Sequence, residues 1–285
     1  VLAEKVIIIG APRSGTNMLR DILVELPGIG TWPCDEINYI WRHGNIRHPS
    51  DVFSPDMATA SIRRYIGNQF EKIAKSRNLD IVIEKTCANS LRVGFVHRIV
   101  PDAKYIFIVR DGMDVVGSAL RRWRANFDFV YTMRKAIYVP PTDIPYYGIR
   151  YMLNHMYRTF SREKRLAFWG PVIENVDWRL QKYSLPEVCA LQWKSCVDNS
   201  ERDLKKIPQH RVCRVKYEDF VGDAVGEFSR IAKFVEREVP GSVKDYITRN
   251  VWPSSVGKGR RALGERGVEY LMPLIADTLA RYSYG

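Results

Sequence analysis

A short β-branched run stops at Gly10, passes through Ala11–Thr16 and turns into a helical pattern, and few folds accommodate that succession. Lys5–Gly10 reads as a buried parallel strand. Met18, Leu19, Ile22, Leu23 and Leu26 fall at helical spacing over Asn17–Leu26, until Pro27-Gly28 ends the pattern. Asp80–Glu84, Lys104–Val109 and Arg211–Lys216 are three further strand runs, and Asp114–Trp123 and Val225–Glu236 are helical in pattern. Strands alternating with helices predict an α/β fold of three layers, with a central parallel sheet covered on both faces. Phe127–Leu185 breaks the rhythm with Tyr, Trp, Pro and Arg, and predicts a helical and loop insertion over about 126–190. No Gly/Ser linker, repeat or low-complexity tract occurs, so 1–285 is read as a single domain.

In open parallel sheets ligands bind beyond the carboxyl ends of the strands, so the residues after each strand are the first candidates. The turn Gly10-Ala-Pro-Arg-Ser-Gly-Thr16 points backbone N–H groups at one spot, at the positive end of a helix. That suits a phosphate or sulfate, and Arg13, Ser14, Thr16 and Asn17 add donors. Gly10 and Gly15 have the spacing of a Walker A loop, but Thr16 stands where its Lys belongs. The turn is therefore P-loop-like, with Arg13 supplying the charge. A second anion site is predicted after Val109: with Arg110 at the strand end and Ser118, eight residues later, one to two turns into the next helix, both can face one anion across the loop.

Lys plus Arg is 44 and Asp plus Glu is 32, a formal charge of +12 that implies an anionic partner. Cys34, Cys87, Cys189, Cys196 and Cys213 form no Cys-x-x-Cys, and their odd number favours reduced thiols and hence the cytoplasm. No His-x-x-x-His pair or metal-binding carboxylate pair is visible, so no metal is expected. Neither a membrane-spanning apolar run nor a signal-peptide layout is present.

Ala11-Pro-Arg-Ser-Gly-Thr-Asn-Met-Leu19 resembles the 5′-phosphosulfate loop of sulfotransferases that use 3′-phosphoadenosine 5′-phosphosulfate (PAPS). Arg110-Asp-Gly-Met-Asp-Val-Val-Gly-Ser118 is similar to that family's 3′-phosphate segment. Lys216-Tyr-Glu-Asp-Phe220, Trp169-Gly-Pro171 and Cys189-Ala-Leu-Gln-Trp193 resemble further segments of it. The resemblance implies a PAPS-binding set of Arg13, Ser14, Gly15, Thr16, Asn17, Arg110, Ser118 and Tyr217. It also implies a basic C-terminal loop over the 3′-phosphate, here Val256-Gly-Lys-Gly-Arg-Arg261. That loop departs from the family's Arg-Lys-Gly and Gly-Arg-Trp-Lys forms. Lys258, Gly259 and Arg260 are its candidate contacts, and the choice among Lys258, Arg260 and Arg261 stays open.

Sulfuryl transfer needs an in-line acceptor, a base for the acceptor proton and cations for the developing charge. The resemblance to glycan and protein-tyrosine sulfotransferases makes Glu36 the expected base, with Asp35 its alternative, and Arg13 and Lys85 the cations. Lys85 lies in Glu84-Lys-Thr86, where glycan-modifying members carry Glu-Lys-Thr-Pro; Cys87 replaces the Pro. The expected partners are PAPS, leaving its product PAP (adenosine 3′,5′-bisphosphate), and an acceptor hydroxyl, first a carbohydrate and alternatively a phenol, lipid or tyrosine. A P-loop kinase would need the missing Lys and an acid directly after a strand, where this chain has Arg110. A basic nucleic-acid-binding protein is the alternative of another class. Arg121-Arg-Trp-Arg124 and Lys258–Arg261 have its charge and aromatics, but a bisphosphorylated nucleotide accounts for them too, and no nucleic acid is expected.

Overall fold

The computed structural model describes residues 3–123, 137–149, 152–153 and 168–284. Five strands form one parallel sheet: β1 (Glu4–Ile9), β2 (Ile29–Gly30), β3 (Ile81–Lys85), β4 (Lys104–Val109) and β5 (Val212–Lys216), in the order β2-β3-β1-β4-β5. Four of these are the runs read as strands above. β2 is the addition, since two residues carry no periodicity to read.

Helices α1 (Thr16–Leu23), α2 (Asn38–Arg42), α3 (Ala60–Arg77), α4 (Val93–Ile99) and α5 (Gly112–Trp123) occupy the first half of the chain. Then come α6 (Val176–Lys182), α7 (Leu185–Leu204), α8 (Tyr217–Gly222), α9 (Ala224–Phe234), α10 (Gly241–Asn250) and α11 (Lys258–Ala280). Gly264, at φ 69°, interrupts α11. Ser184 and Glu187 form a capping box that starts α7. Part of the expected insertion (126–136, 150–151 and 154–167), with Phe127 and Tyr131, lies outside the described residues, as does Arg124.

Alternation along β1 builds the three layers. Ile7 and Ile9 join a core made with α3, α4, α5, α7 and α11, while Val6 and Ile8 join a second core made with α1, α8, α9 and α10. Burying each such side chain stabilises the fold by about 1.5–3 kcal/mol. The strand order changes direction at β1, because the chain goes to β2 and β3 on one side and to β4 and β5 on the other. In open parallel sheets ligands bind at such a point, here beyond the carboxyl ends of β1, β3 and β4. The candidate residues are distributed over those ends and the helices that follow.

Candidate active site

Gly15 caps α1 at φ 91°, with no side-chain cap to its first turn. The first N–H groups of a helix have no intrahelical partner, so this end is open to an anion. Ser14 and Thr16 are buried, whereas Arg13 and Asn17 are exposed. Arg13 adopts φ 73°, rare for a side-chain-bearing residue, and its Nε donates to Ser118 Oγ at 2.9 Å. The glycine turn and the first turns of α5 thus meet in one place. Loss of water and the charges of Arg122, Arg110 and Arg121 hold the Arg13 guanidinium below its usual range. Cations that crowd one another in this way are relieved by an anion.

Arg110 directly follows β4, at the same end of the sheet. Its Nη1 donates to Arg13 O at 3.3 Å, and its Nη2 to Asp114 Oδ2 at 3.2 Å and Ser255 O at 2.6 Å. Its guanidinium lies 4.3 Å from the ring centre of Tyr217, and Tyr217 OH shares a hydrogen bond with Ser255 Oγ at 2.5 Å. The Tyr217 ring also covers the glycine turn: a Cβ on Gly15 would sit 2.6 Å from it. Ser14 Oγ and Arg110 Nε are buried here without a hydrogen-bond partner. Such groups are costly unless something else satisfies them, and two of them beside a helix N-terminus fit a phosphate-bearing ligand.

The second half of the site is acidic. Glu36 Oε1 accepts from Lys85 Nζ at 3.0 Å and from Cys87 N at 3.3 Å. Asp35 Oδ1 accepts from Arg20 Nη1 at 2.6 Å and lies 3.5 Å from Lys85 Nζ. Burial works to lower the Lys85 ammonium, but the charges of Glu36 and Asp35 outweigh it and hold it above its usual range. Cys87 Sγ is 3.7 Å from Thr16 Oγ1, which joins the acidic pair to the glycine turn. Arg13, Ser118, Arg110 and Tyr217 thus lie together, and Glu36 and Lys85 adjoin them through Cys87 and Thr16, whereas no contact joins Asn17 to the group among the described residues.

The basic segment expected as a loop forms the start of α11 from Lys258 onward, and its three cations have different surroundings. Arg260 Nη2 bonds Asp111 Oδ2 at 3.1 Å, and Arg261 Nη2 bonds Val256 O at 3.2 Å. Lys258 is exposed, with no hydrogen bond or ion pair among the described residues. The Gly259 N–H is taken by Asp114 Oδ1 at 2.7 Å.

Several contributors are not among the residues picked from sequence. Arg20 is one helical turn beyond Thr16 on α1, a spacing that marks a shared face. Asp114 is four residues after Arg110, but Arg110 precedes α5, so the contact comes from the turn between β4 and α5. Glu84 and Thr86 flank Lys85: Thr86 Oγ1 donates to Glu84 Oε1 at 2.5 Å and accepts from Ile37 N at 3.2 Å. Below them, Asp51 accepts from Arg42 Nη1 at 2.7 Å, Arg92 Nη1 at 3.3 Å and Val172 N at 2.8 Å. Burial works to raise Asp51, but both guanidinium groups and the Val172 N–H hold it below the usual carboxylate range. This network ties the loop before α3 to α2, to the start of α4 and to Val172, and no local spacing announces it.

All five cysteines carry free thiols. Among the described residues, no group of three or more His, Cys, Asp or Glu is placed to hold a metal ion, and no helix is long and apolar enough to cross a membrane.

A model described as the sulfotransferase family matches residues 5–167. No curated protein matches the chain by sequence. Among solved structures, the sulfotransferase STF9 of Mycobacterium avium is similar at TM-score 0.54 and 12% identity, over 99% of this chain and 77% of that one. The sulfotransferase domain of the curacin biosynthetic pathway is similar at TM-score 0.52 and 14% identity, over 85% and 77%. That of the Synechococcus PCC 7002 olefin synthase gives 0.51 and 15%, over 90% and 88%. At such identities the likeness is one of fold.

Proposed function

The chain belongs to the sulfotransferase family, and from that premise we propose that it transfers a sulfuryl group from PAPS to an acceptor hydroxyl, with a carbohydrate as the first acceptor to test. The observation that carries the reading is the buried Ser14 Oγ and Arg110 Nε, both without hydrogen-bond partners among the described residues, where Arg13 joins the glycine turn to Ser118. Ser14, Gly15, Thr16 and Asn17 would hold the 5′ side of the nucleotide. Arg110, Ser118, Tyr217 and the loop of Lys258, Gly259 and Arg260 would hold the 3′-phosphate. PAPS supplies the activated sulfuryl group.

The chain's own part is orientation and proton handling. Glu36 takes the acceptor's proton through its carboxylate, held by Lys85 Nζ and the Cys87 N–H. Lys85 and Arg13 stabilise negative charge at the transfer point. Asp35 is the less suitable base, because Arg20 grips both its carboxylate and its backbone carbonyl. The acceptor side is assigned to an insertion over about 126–190 of a single domain. A phenol, lipid or tyrosine in place of the sugar leaves these roles unchanged.

PAP binding by the native state should raise unfolding free energy by about 2.7 kcal/mol at about 100 times its Kd. A thermal-shift titration checks this, and no movement at millimolar PAP would remove the cofactor assignment. Transfer of label from ³⁵S-labelled PAPS to glycans, phenols, lipids and tyrosine peptides then identifies the acceptor class. Single-stranded DNA that bound more tightly than PAP, with an affinity falling steeply with salt, would point to the nucleic-acid reading.

A further inference from the structure

Asp114 lies in the first turn of α5 and is 1% exposed. Its Oδ2 accepts from Gly257 N at 2.7 Å and from Arg110 Nη2 at 3.2 Å. Its Oδ1 accepts from Gly259 N at 2.7 Å and from Arg260 N at 3.1 Å. A buried carboxylate beside an arginine is an expensive resident of an anion site, since it cancels part of the charge on offer there. What it provides in return is three backbone hydrogen bonds to a distant segment.

Those three N–H groups belong to the start of α11. Gly257 is the N-cap of that helix, at φ 74°, and no side chain of its own segment caps it. Asp114 therefore caps α11 from another helix and consumes the donors that would otherwise attract a phosphate. The docking is backbone to backbone. A Cβ on Gly259 would lie 2.4 Å from Asp114 Cα, and one on Gly117 would lie 2.6 Å from Gly259 Cα. The same segment delivers Ser255 O to Arg110 Nη2, so Arg110 is held from two directions while its Nε stays without a partner. Arg260 and Arg261 are turned to Asp111 and Val256, which leaves Lys258 as the loop cation with no such engagement among the described residues.

We infer that Asp114 is a positioning residue for recognition of the nucleotide's 3′-phosphate. It fixes the 255–260 segment on α5, which orients Arg110 and presents Lys258 as the loop's phosphate ligand. The inference rests on the 3′-phosphate reading given above.

The test compares Kd for PAP with Kd for AMP, which lacks only the 3′-phosphate, by calorimetry. The wild type should prefer PAP. Asp114→Asn should lose roughly 10-fold or more in PAP affinity, the scale of a lost charge-assisted hydrogen bond, while AMP affinity stays within about 2-fold. Gly259→Ala, which forces the segment off α5 without removing any side chain of the site, should give the same pattern. It carries the test if Asp114→Asn does not fold. Lys258→Ala should also lose PAP affinity, without the faster trypsin cleavage after Arg260 and Arg261 that the two undocked variants should show. A wild type that discriminates, with undocked variants that discriminate equally well, overturns the inference alone. A wild type that binds PAP and AMP equally overturns the 3′-phosphate reading and the inference with it.

Discussion

Asp35 and Glu36 are adjacent in sequence and both lie near Lys85, yet their hydrogen bonds go to different cations. Arg20 holds Asp35, and Lys85 with the Cys87 N–H holds Glu36. Glu36→Gln keeps the shape and removes the base, so turnover should fall by ~10²–10⁴-fold while the thermal shift with PAP is retained. Asp35→Asn should do much less, and the reverse order would move the base to Asp35. Glu84 invites a different measurement. Burial pushes its carboxyl up to about 7, against the pull of Thr86, Lys85 and Asn89, from an ordinary value of 4.5. The native state then holds the proton more tightly than the unfolded chain between those two values. Its contribution to stability is complete below about 4.5 and is lost as pH rises towards about 7. Denaturant titrations across that window should show wild type losing up to roughly 3 kcal/mol relative to Glu84→Gln. Parallel curves for the two proteins would contradict the shift.

At the scale of elements, the glycine turn is a joint between β1, α1, β5 and α8, because the ring of Tyr217 occupies the space over Gly15. Gly15→Ala has two costs: a left-handed backbone, roughly 1–2 kcal/mol for a residue with a Cβ, and a collision with that ring. The expected outcome is a lower denaturant midpoint together with weaker PAP binding, since a displaced Tyr217 also releases Arg110. Unchanged PAP affinity would separate the turn from the anion site. The elements themselves were legible wherever a periodic run exceeded a few residues. Lys5–Gly10 and Lys104–Val109 read as strands because β-branched and aromatic residues run on without interruption. The two residues of β2 and the five of α2 offer no period, and packing against β3 and the buried Trp41, not local preference, decides them.

On the scale of the whole molecule, the residues after each strand were the ones to inspect because a parallel sheet gathers its carboxyl ends on one side. That rule, with the glycine turn and the Arg110–Ser118 spacing, brought most of the candidate site into view. Contacts between distant segments were not accessible in that way. Asp114 meets Gly259 across 145 positions and Val172 meets Asp51 across 121, and no spacing rule spans such gaps. The strand order carries one more consequence, for the time before the fold exists. β1 is the middle of the sheet and the earliest of its strands in the chain, with Val6 paired to Ile83 on one side and Lys104 on the other. A nascent chain therefore presents Val6-Ile-Ile-Ile9 with both edges bare until β3 has left the ribosome, and with one edge bare until β4 follows, roughly a hundred residues after Ile9. At ~5–20 residues per second that wait lasts several seconds, long enough for chaperones to compete with self-association for the segment. Slower translation ahead of β4 lengthens that exposure, whereas slower translation after β5 finds the edges already filled.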